Sequence, residues 1–254
     1  MIRRGLSALV ALTLLLPAVA RPQDRASSPP PASVRADSSA IIGLKQVAIG
    51  VGGLAILLLA DPPVARAFQG SASAGTLNTA RQFDRFGEPS GMVPIIVGVA
   101  VVGLVARDRA VIRAALHAVE SVVLASVMTQ GGKYLIGRIR PGGDPDLDGF
   151  DFALFTNPHS PAFPSGHAAG AFALATSLGD AIDNTWARVG LYGLAAGTGW
   201  ARLAEEQHWL TDVVAGAAVG IVSAKFVSGK VRIFGVRAPH FIVGPQSVRM
   251  RWTF

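Results

Sequence analysis

Eight residues in three short fragments have the types and spacing that chemistry on a phosphate requires. They are Lys133 and Arg140, followed by Pro141; then Ser165, Gly166 and His167 after Pro164; then Arg202, His208 and Asp212. His208 and Asp212 stand four residues apart, so on a helix they share a face. The carboxylate can take the proton of one ring nitrogen, which leaves the other basic and free to act as a nucleophile. Ser165 suits a helix N-cap, and the free amides of the first turn make an anion site that Gly166 lets a phosphate approach. His167 would stand beside that anion, placed to protonate a leaving oxygen. Lys133 and Arg140 are seven residues apart, nearly two helical turns, and point the same way, with Pro141 ending the helix. Arg140 can fork two phosphate oxygens while Lys133 adds a point charge, and Arg202 supplies a third cation. Taken singly, each fragment also fits a bland role: a satisfied His–Asp pair, a capped helix, or basic residues at a membrane boundary. Arg138 falls on another side of the helix and reads as a boundary charge of that kind.

The elements that must position these residues are apolar. Of 254 residues, half are hydrophobic and only 15% are charged, against about a quarter charged in ordinary soluble domains. Membrane protein is the better class. The net charge of +7 forms no long basic run and gathers at the ends of apolar segments, which fits anionic lipid and excludes nucleic acid as a partner. There is no cysteine, hence no disulfide and no thiolate metal site.

Residues 1–20 read as a secretory signal: Arg3 and Arg4, an apolar run, then Ala18-Val19-Ala20. An uncleaved anchor is the alternative. Residues 21–40 are a Pro/Ser-rich linker, expected to be disordered. Apolar segments follow at 41–60, 92–106, 111–129, 168–182, 189–204 and 209–227. Several fall short of the roughly 20 residues a spanning helix wants. Gly193/Gly197 and Gly216/Gly220 are small-residue pairs that let helices pack closely in lipid. The expected fold is an all-α integral membrane bundle of about five to six transmembrane helices, its domain covering residues 41–230. Residues 61–91 form a polar connection, either an amphipathic interfacial helix or a surface loop. In the tail, residues 231–254, alternating polar and apolar residues around Gly244-Pro245 predict a short β-hairpin; an outer-membrane barrel strand fits less well.

Arg107, Arg109 and Arg113 cluster between two segments, and Lys225, Lys230 and Arg232 follow the last. Both places should be cytoplasmic. Lys133, His167 and His208 then meet on the extracytoplasmic face, which for a bacterial inner membrane is the periplasm. A conflict follows: a cleaved signal would leave Ser39 outside, whereas this topology wants it inside, unless residues 41–60 do not span.

The three fragments together resemble the type 2 phosphatidic acid phosphatase (PAP2) superfamily. Its pattern is Lys-x6-Arg-Pro, Pro-Ser-Gly-His, then Ser-Arg-x5-His-x3-Asp. One position departs, since Ala201 stands where the family has serine. The resemblance implies a metal-independent, cofactor-free hydrolase of lipid phosphates. His208 would be the nucleophile forming a phosphohistidine, His167 the acid and then the base, with Asp212 behind His208. Lys133, Arg140, Ser165, Gly166 and Arg202 would hold the phosphate oxygens. Substrates of that class are phosphatidic acid, phosphatidylglycerophosphate or a polyprenyl (undecaprenyl) diphosphate; membrane lipids are the surroundings. The alternatives are a vanadium-dependent haloperoxidase, whose site is alike, and a catalytically degenerate lipid-binding protein.

Other groups invite lesser readings. Asp144, Asp146 and Asp148 imitate the start of an EF-hand, but Phe155 stands where a glutamate is needed, so a polar loop is expected. His117 and Glu120 should bond to each other within the bundle. Glu205 and Glu206 read as solvated loop charges.

Overall fold

The computed structural model describes residues 39–70, 73–144, 146, 148–155, 161–244 and 247–251. The signal-like segment, residues 21–38 of the linker and Pro245 lie outside them. Small residues decide the centre of the fold. The sequence Gly166–Ala181 is mostly alanine and glycine, forms a helix, and is buried along nearly its whole length. Around it stand α1 (Leu44–Leu57), α2 (Asp61–Phe68), α3 (Ala74–Gly87), α4 (Pro89–Ala106), α5 (Arg109–Ile136), α7 (Thr185–Ala204) and α8 (Leu210–Val227), the central helix being α6.

Among the described residues, four stretches are long and apolar enough to cross a membrane: Leu44–Phe68, Pro89–Ala106, Arg109–Ile136 and Leu210–Val227. Large apolar side chains such as Ile49, Ile56, Leu104, Val105 and Val127 stand exposed on these helices. Apolar surface turned outward along helices of spanning length fits lipid surroundings. The chain is an integral membrane protein, and α6 and α7 complete its helical bundle.

Close packing of α6 on α8 depends on missing side chains. A Cβ on Gly216 would strike the carbonyl oxygen of Ser165, and one on Gly220 would strike that of Ala169. The second small-residue pair behaves differently. Gly197 makes room for the ring of Phe83, while a Cβ on Gly193 would meet nothing within 4 Å. That pair therefore seats an aromatic of α3 instead of joining two helices at both positions.

Residues 61–91 are helical and not a surface loop. They fold as α2, α3 and the start of α4, and Phe68, Phe83 and Phe86 pack into the bundle. Ser73 caps α3 by accepting from the Thr76 amide at 3.1 Å.

The first span runs from end to end. Its entrance strand β1 (Ala40–Ile42) pairs in parallel with β2 (Val231–Ile233), which follows the C-terminus of α8. Its far end, Asp61, accepts a hydrogen bond from the Thr211 amide, in the first turn of α8, at 2.8 Å. Residues 41–60 thus traverse the same length as α8, about 27 Å for its 18 residues. The expected tail hairpin is present, with β3 (His240–Gly244) antiparallel to β4 (Ser247–Arg251).

Stability should respond to glycine replacement by position. Gly220→Ala is expected to cost about 2 kcal/mol through overpacking, and Gly193→Ala to be neutral or stabilising. Thermal unfolding of both variants in detergent checks this.

Candidate functional site

The residues singled out by spacing gather at one end of the bundle. That end is formed by the C-termini of α5 and α7 and the N-termini of α6 and α8.

The α5 helix ends earlier than the Lys133–Arg140 spacing suggested. Ile136 is its last residue, and Gly137 caps it in a left-handed conformation with φ 57°. Lys133 therefore lies on the helix and Arg140 on the extended segment after it. The two are brought together by the chain turning back, not by a common helical face. Arg140 donates from Nη1 to the side-chain oxygen of Gln207. Burial first, then the charge of Arg202, lowers the Arg140 pKa, while the charge of Asp212 opposes the shift.

The geometry of His208 and Asp212 also differs from the helical expectation. His208 precedes α8, whose N-cap is Trp209, so only Asp212 is on the helix. Asp212 reaches back, accepting from the Trp209 amide at 2.8 Å. His208 Nδ1 stands 3.6 Å from Asp212 Oδ2, an electrostatic contact longer than a hydrogen bond. Nδ1 is buried and has no hydrogen-bond partner. Burial lowers the His208 pKa to about 4; Asp212 opposes this, and the charges of Arg202 and Arg140 add to it. At neutral pH the imidazole is therefore uncharged.

Ser165 caps α6 as expected, accepting from the Ala168 amide at 3.4 Å, and its own amide donates to the Asp212 carbonyl at 3.0 Å. This bond ties the start of α6 to the first turn of α8. Gly166 opens the helix and His167 follows. His167 Nε2 lies 3.8 Å from Asp84 and 3.9 Å from Glu88, two carboxylates that no local pattern places there. Arg202, in the last turn of α7, donates from Nη1 to Asp84 at 2.8 Å and to Glu205 at 2.7 Å. Glu205 is thus an ion-pair partner, not a solvated loop charge. Arg202 Nε is buried without a hydrogen-bond partner. Arg202 acts electrostatically on both His167 and His208, and Lys133 faces Arg140, Arg202 and Asp212. Ala201, where the family pattern has serine, is fully buried against Ala80 and Ala204.

Arg138 overturns its reading as a boundary charge. It is fully buried, and its guanidinium donates to Asp212 Oδ1 at 2.9 Å and Asp61 Oδ2 at 2.7 Å. Nε and Nη2 also donate to the Gly149 carbonyl, at 2.9 and 2.6 Å. The rings of Trp209 and Phe152 lie 4.9 and 5.5 Å from it. Gly149 has φ 76°, and a Cβ there would come within 2.7 Å of Arg138 Nη2. The EF-hand-like loop exists to deliver that carbonyl. Asp144 accepts from the amides of Asp146 and Gly149 at 3.0 and 3.1 Å, so its oxygens serve the loop backbone.

Two signals could have revealed this. Gly137 directly after an apolar run is a helix stop, which takes Arg138 off the helix. Asp61 is a charge at the end of a long apolar segment, a position that costs free energy unless partnered. Among the described residues, Asp84, Glu88 and His167 are the group whose ligand atoms lie close enough together, within 4.8 Å, to hold a cation. His117 and Glu120 do have partners, and the His117 carbonyl accepts from Ser121 at 2.5 Å.

Residues 114–233, just under half of the chain, match the PAP2 superfamily. The chain is 37% identical over 103 residues to a lipid A 1-phosphatase of Porphyromonas gingivalis, which is 40% of this chain but only a fifth (20%) of that relative's length. The fold is shared with LpxE of Aquifex aeolicus (TM-score 0.53, 20% identity, 65% of this chain and 93% of that one). It is also shared with a transmembrane PAP2-type phosphatidylglycerolphosphate phosphatase of Bacillus subtilis (TM-score 0.55, 19% identity, 72% and 92%).

Two outcomes are expected. Arg138→Met leaves Asp61 and Asp212 buried and uncompensated, and should lower stability by about 3–5 kcal/mol, measured by denaturant unfolding in micelles. His208 has a folded pKa of about 4, below its unfolded value of about 6.5. Its contribution is complete above pH 6.5 and is lost as pH falls toward 4. His208→Gln should flatten that part of the stability–pH curve.

Proposed function

We propose that residues 41–230 form a phosphatase that removes phosphate from a membrane lipid through a phosphohistidine. The observation that carries this is the meeting of uncharged His208, the α6 N-terminus at Ser165–Gly166, and the cations Lys133, Arg140 and Arg202 at one end of the bundle.

The steps follow from that arrangement. The phosphate sits among the three cations and the first amides of α6, which neutralise its oxygens without needing a metal ion. Arg202 Nε, buried and unpartnered, is a donor ready for an oxygen. His208 Nε2 attacks phosphorus while Asp212 stabilises the positive charge that grows on the ring. The bond from phosphorus to the lipid oxygen breaks, and His167 gives that oxygen a proton. Water then attacks the phosphohistidine, His167 takes its proton, and inorganic phosphate leaves with His208 restored.

The basic residues Arg109, Arg188, Lys225 and Lys230 belong to the opposite end, where Lys225 and Lys230 also hold Asp180 at 2.8 and 3.1 Å. By the positive-inside rule that end is cytoplasmic and the site faces outward, to the periplasm in a bacterial inner membrane. The similarity to a lipid A 1-phosphatase adds the phosphate of a glycolipid to phosphatidic acid, phosphatidylglycerophosphate and polyprenyl diphosphate as substrates to compare.

Protein in detergent with EDTA is expected to release inorganic phosphate from at least one lipid of that panel. Orthovanadate, which imitates the five-coordinate phosphorus, should inhibit it. His208→Ala should lose at least a thousandfold in kcat; release that needs a divalent ion, or that survives His208→Ala, defeats this mechanism.

A further inference from the structure

We infer that Asp61, on the first span and outside the stretch matched by the family, is a positioning residue of the same site, acting on His208 through Arg138 and Asp212. This rests on the phosphatase reading above. Asp61 lies at the far end of a buried chain of charges that runs through Arg138 and Asp212 to His208. Its Oδ2 accepts from Arg138 Nη2 at 2.7 Å and from the Thr211 hydroxyl at 2.7 Å, while Oδ1 accepts from the Thr211 amide at 2.8 Å. On its other side Arg138 donates to Asp212 at 2.9 Å, and the second oxygen of Asp212 is the one beside His208 Nδ1. Asp61, Arg138 and Asp212 are all fully buried.

Two carboxylates share one guanidinium, so the trio carries a net charge of −1. With Asp61 satisfying one arm of Arg138, the negative charge of Asp212 is left uncancelled on the side of His208. Without the Asp61 charge, Arg138 would neutralise Asp212 alone, in a dry setting where such charges act strongly on each other. His208, which turns cationic as it takes up phosphorus, would then face Arg202 from α7 and Arg140 from the segment after α5 with no counter-charge from α8. A helix cap needs only one side-chain oxygen, and serine or asparagine would supply it. Asp61 uses its second oxygen and its charge on Arg138, which capping does not explain.

The test uses the full chain in dodecyl maltoside, with kcat and KM measured against pH on dioctanoyl phosphatidic acid and on lipid A. Selective 15N-histidine NMR reads the His208 titration independently of turnover. Asp61→Asn is expected to lower kcat at least tenfold with KM changed less than threefold, and to move the His208 midpoint to lower pH. Asp61→Glu, which keeps the charge, should retain the wild-type midpoint and most of kcat. Thr211→Val should lower the melting temperature with the midpoint in place. An unchanged midpoint in Asp61→Asn overturns the inference, as does an equal shift in Thr211→Val. If Asp61→Asn does not fold, a shifted midpoint in Asp61→Glu overturns it instead. A wild type that hydrolyses neither these two lipids nor phosphatidylglycerophosphate nor a polyprenyl diphosphate sinks the phosphatase reading, while the titration still decides the role of Asp61.

Discussion

A single guanidinium, closed off from water, holds this end of the molecule together. Arg138 joins the first span, the last span and the loop after α5, through Asp61, Asp212 and the Gly149 carbonyl. Burying a charge costs several kcal/mol unless it is paired and hydrogen-bonded. Here the two carboxylates, a carbonyl and two aromatic faces all meet it. That requirement explains features otherwise unrelated: the left-handed stop at Gly137, the positive φ of Gly149, and the polar residue closing a long apolar segment. Each exists so that Arg138 can be enclosed.

A second cluster of charges sits beside the first with a looser structure. Asp84, Glu88, His167, Arg202 and Glu205 are linked by contacts from 2.7 to 3.9 Å, and Asp84 and Arg202 each retain a buried atom without a partner. Tight bonding around Arg138 and incomplete bonding around Arg202 divide the labour. One network fixes backbone, and the other leaves the Nε donor of Arg202 and one oxygen of Asp84 without a hydrogen-bond partner.

Much of this was legible in the chain. Apolar segments, the small-residue pair at Gly216 and Gly220, the Ser165 cap and the tail hairpin follow from local periods and propensities, and the structure shows all of them. The three fragments were legible as a set because their chemistry is complementary. What the sequence hid were partners far away in it. Asp61 meets Thr211 across 150 residues and Arg138 across 77, and no local pattern encodes such a pairing. Treating Lys133 to Arg140 as one helix also set Arg138 on the wrong face, since a single glycine in a left-handed conformation ended that helix. The reach of Asp212 back to the residues before α8 was likewise invisible, because four-residue spacing does not say where a helix begins.

The clasp between Ala40–Ile42 and Val231–Ile233 has a consequence for how the protein is made. The first span emerges from the ribosome long before either of its anchoring partners exists. Between its ends few side chains of the Leu44–Phe68 span are buried, so before α8 is synthesised its hold on the rest of the chain is the ion pair from Asp61 to Arg138. Only once α8 exists can both ends be fastened, one strand to strand and the other acid to amide. Assembly of the whole molecule therefore waits on its final membrane segment, and a nascent chain halted before residue 210 has every motif but the last and no closed bundle to hold them.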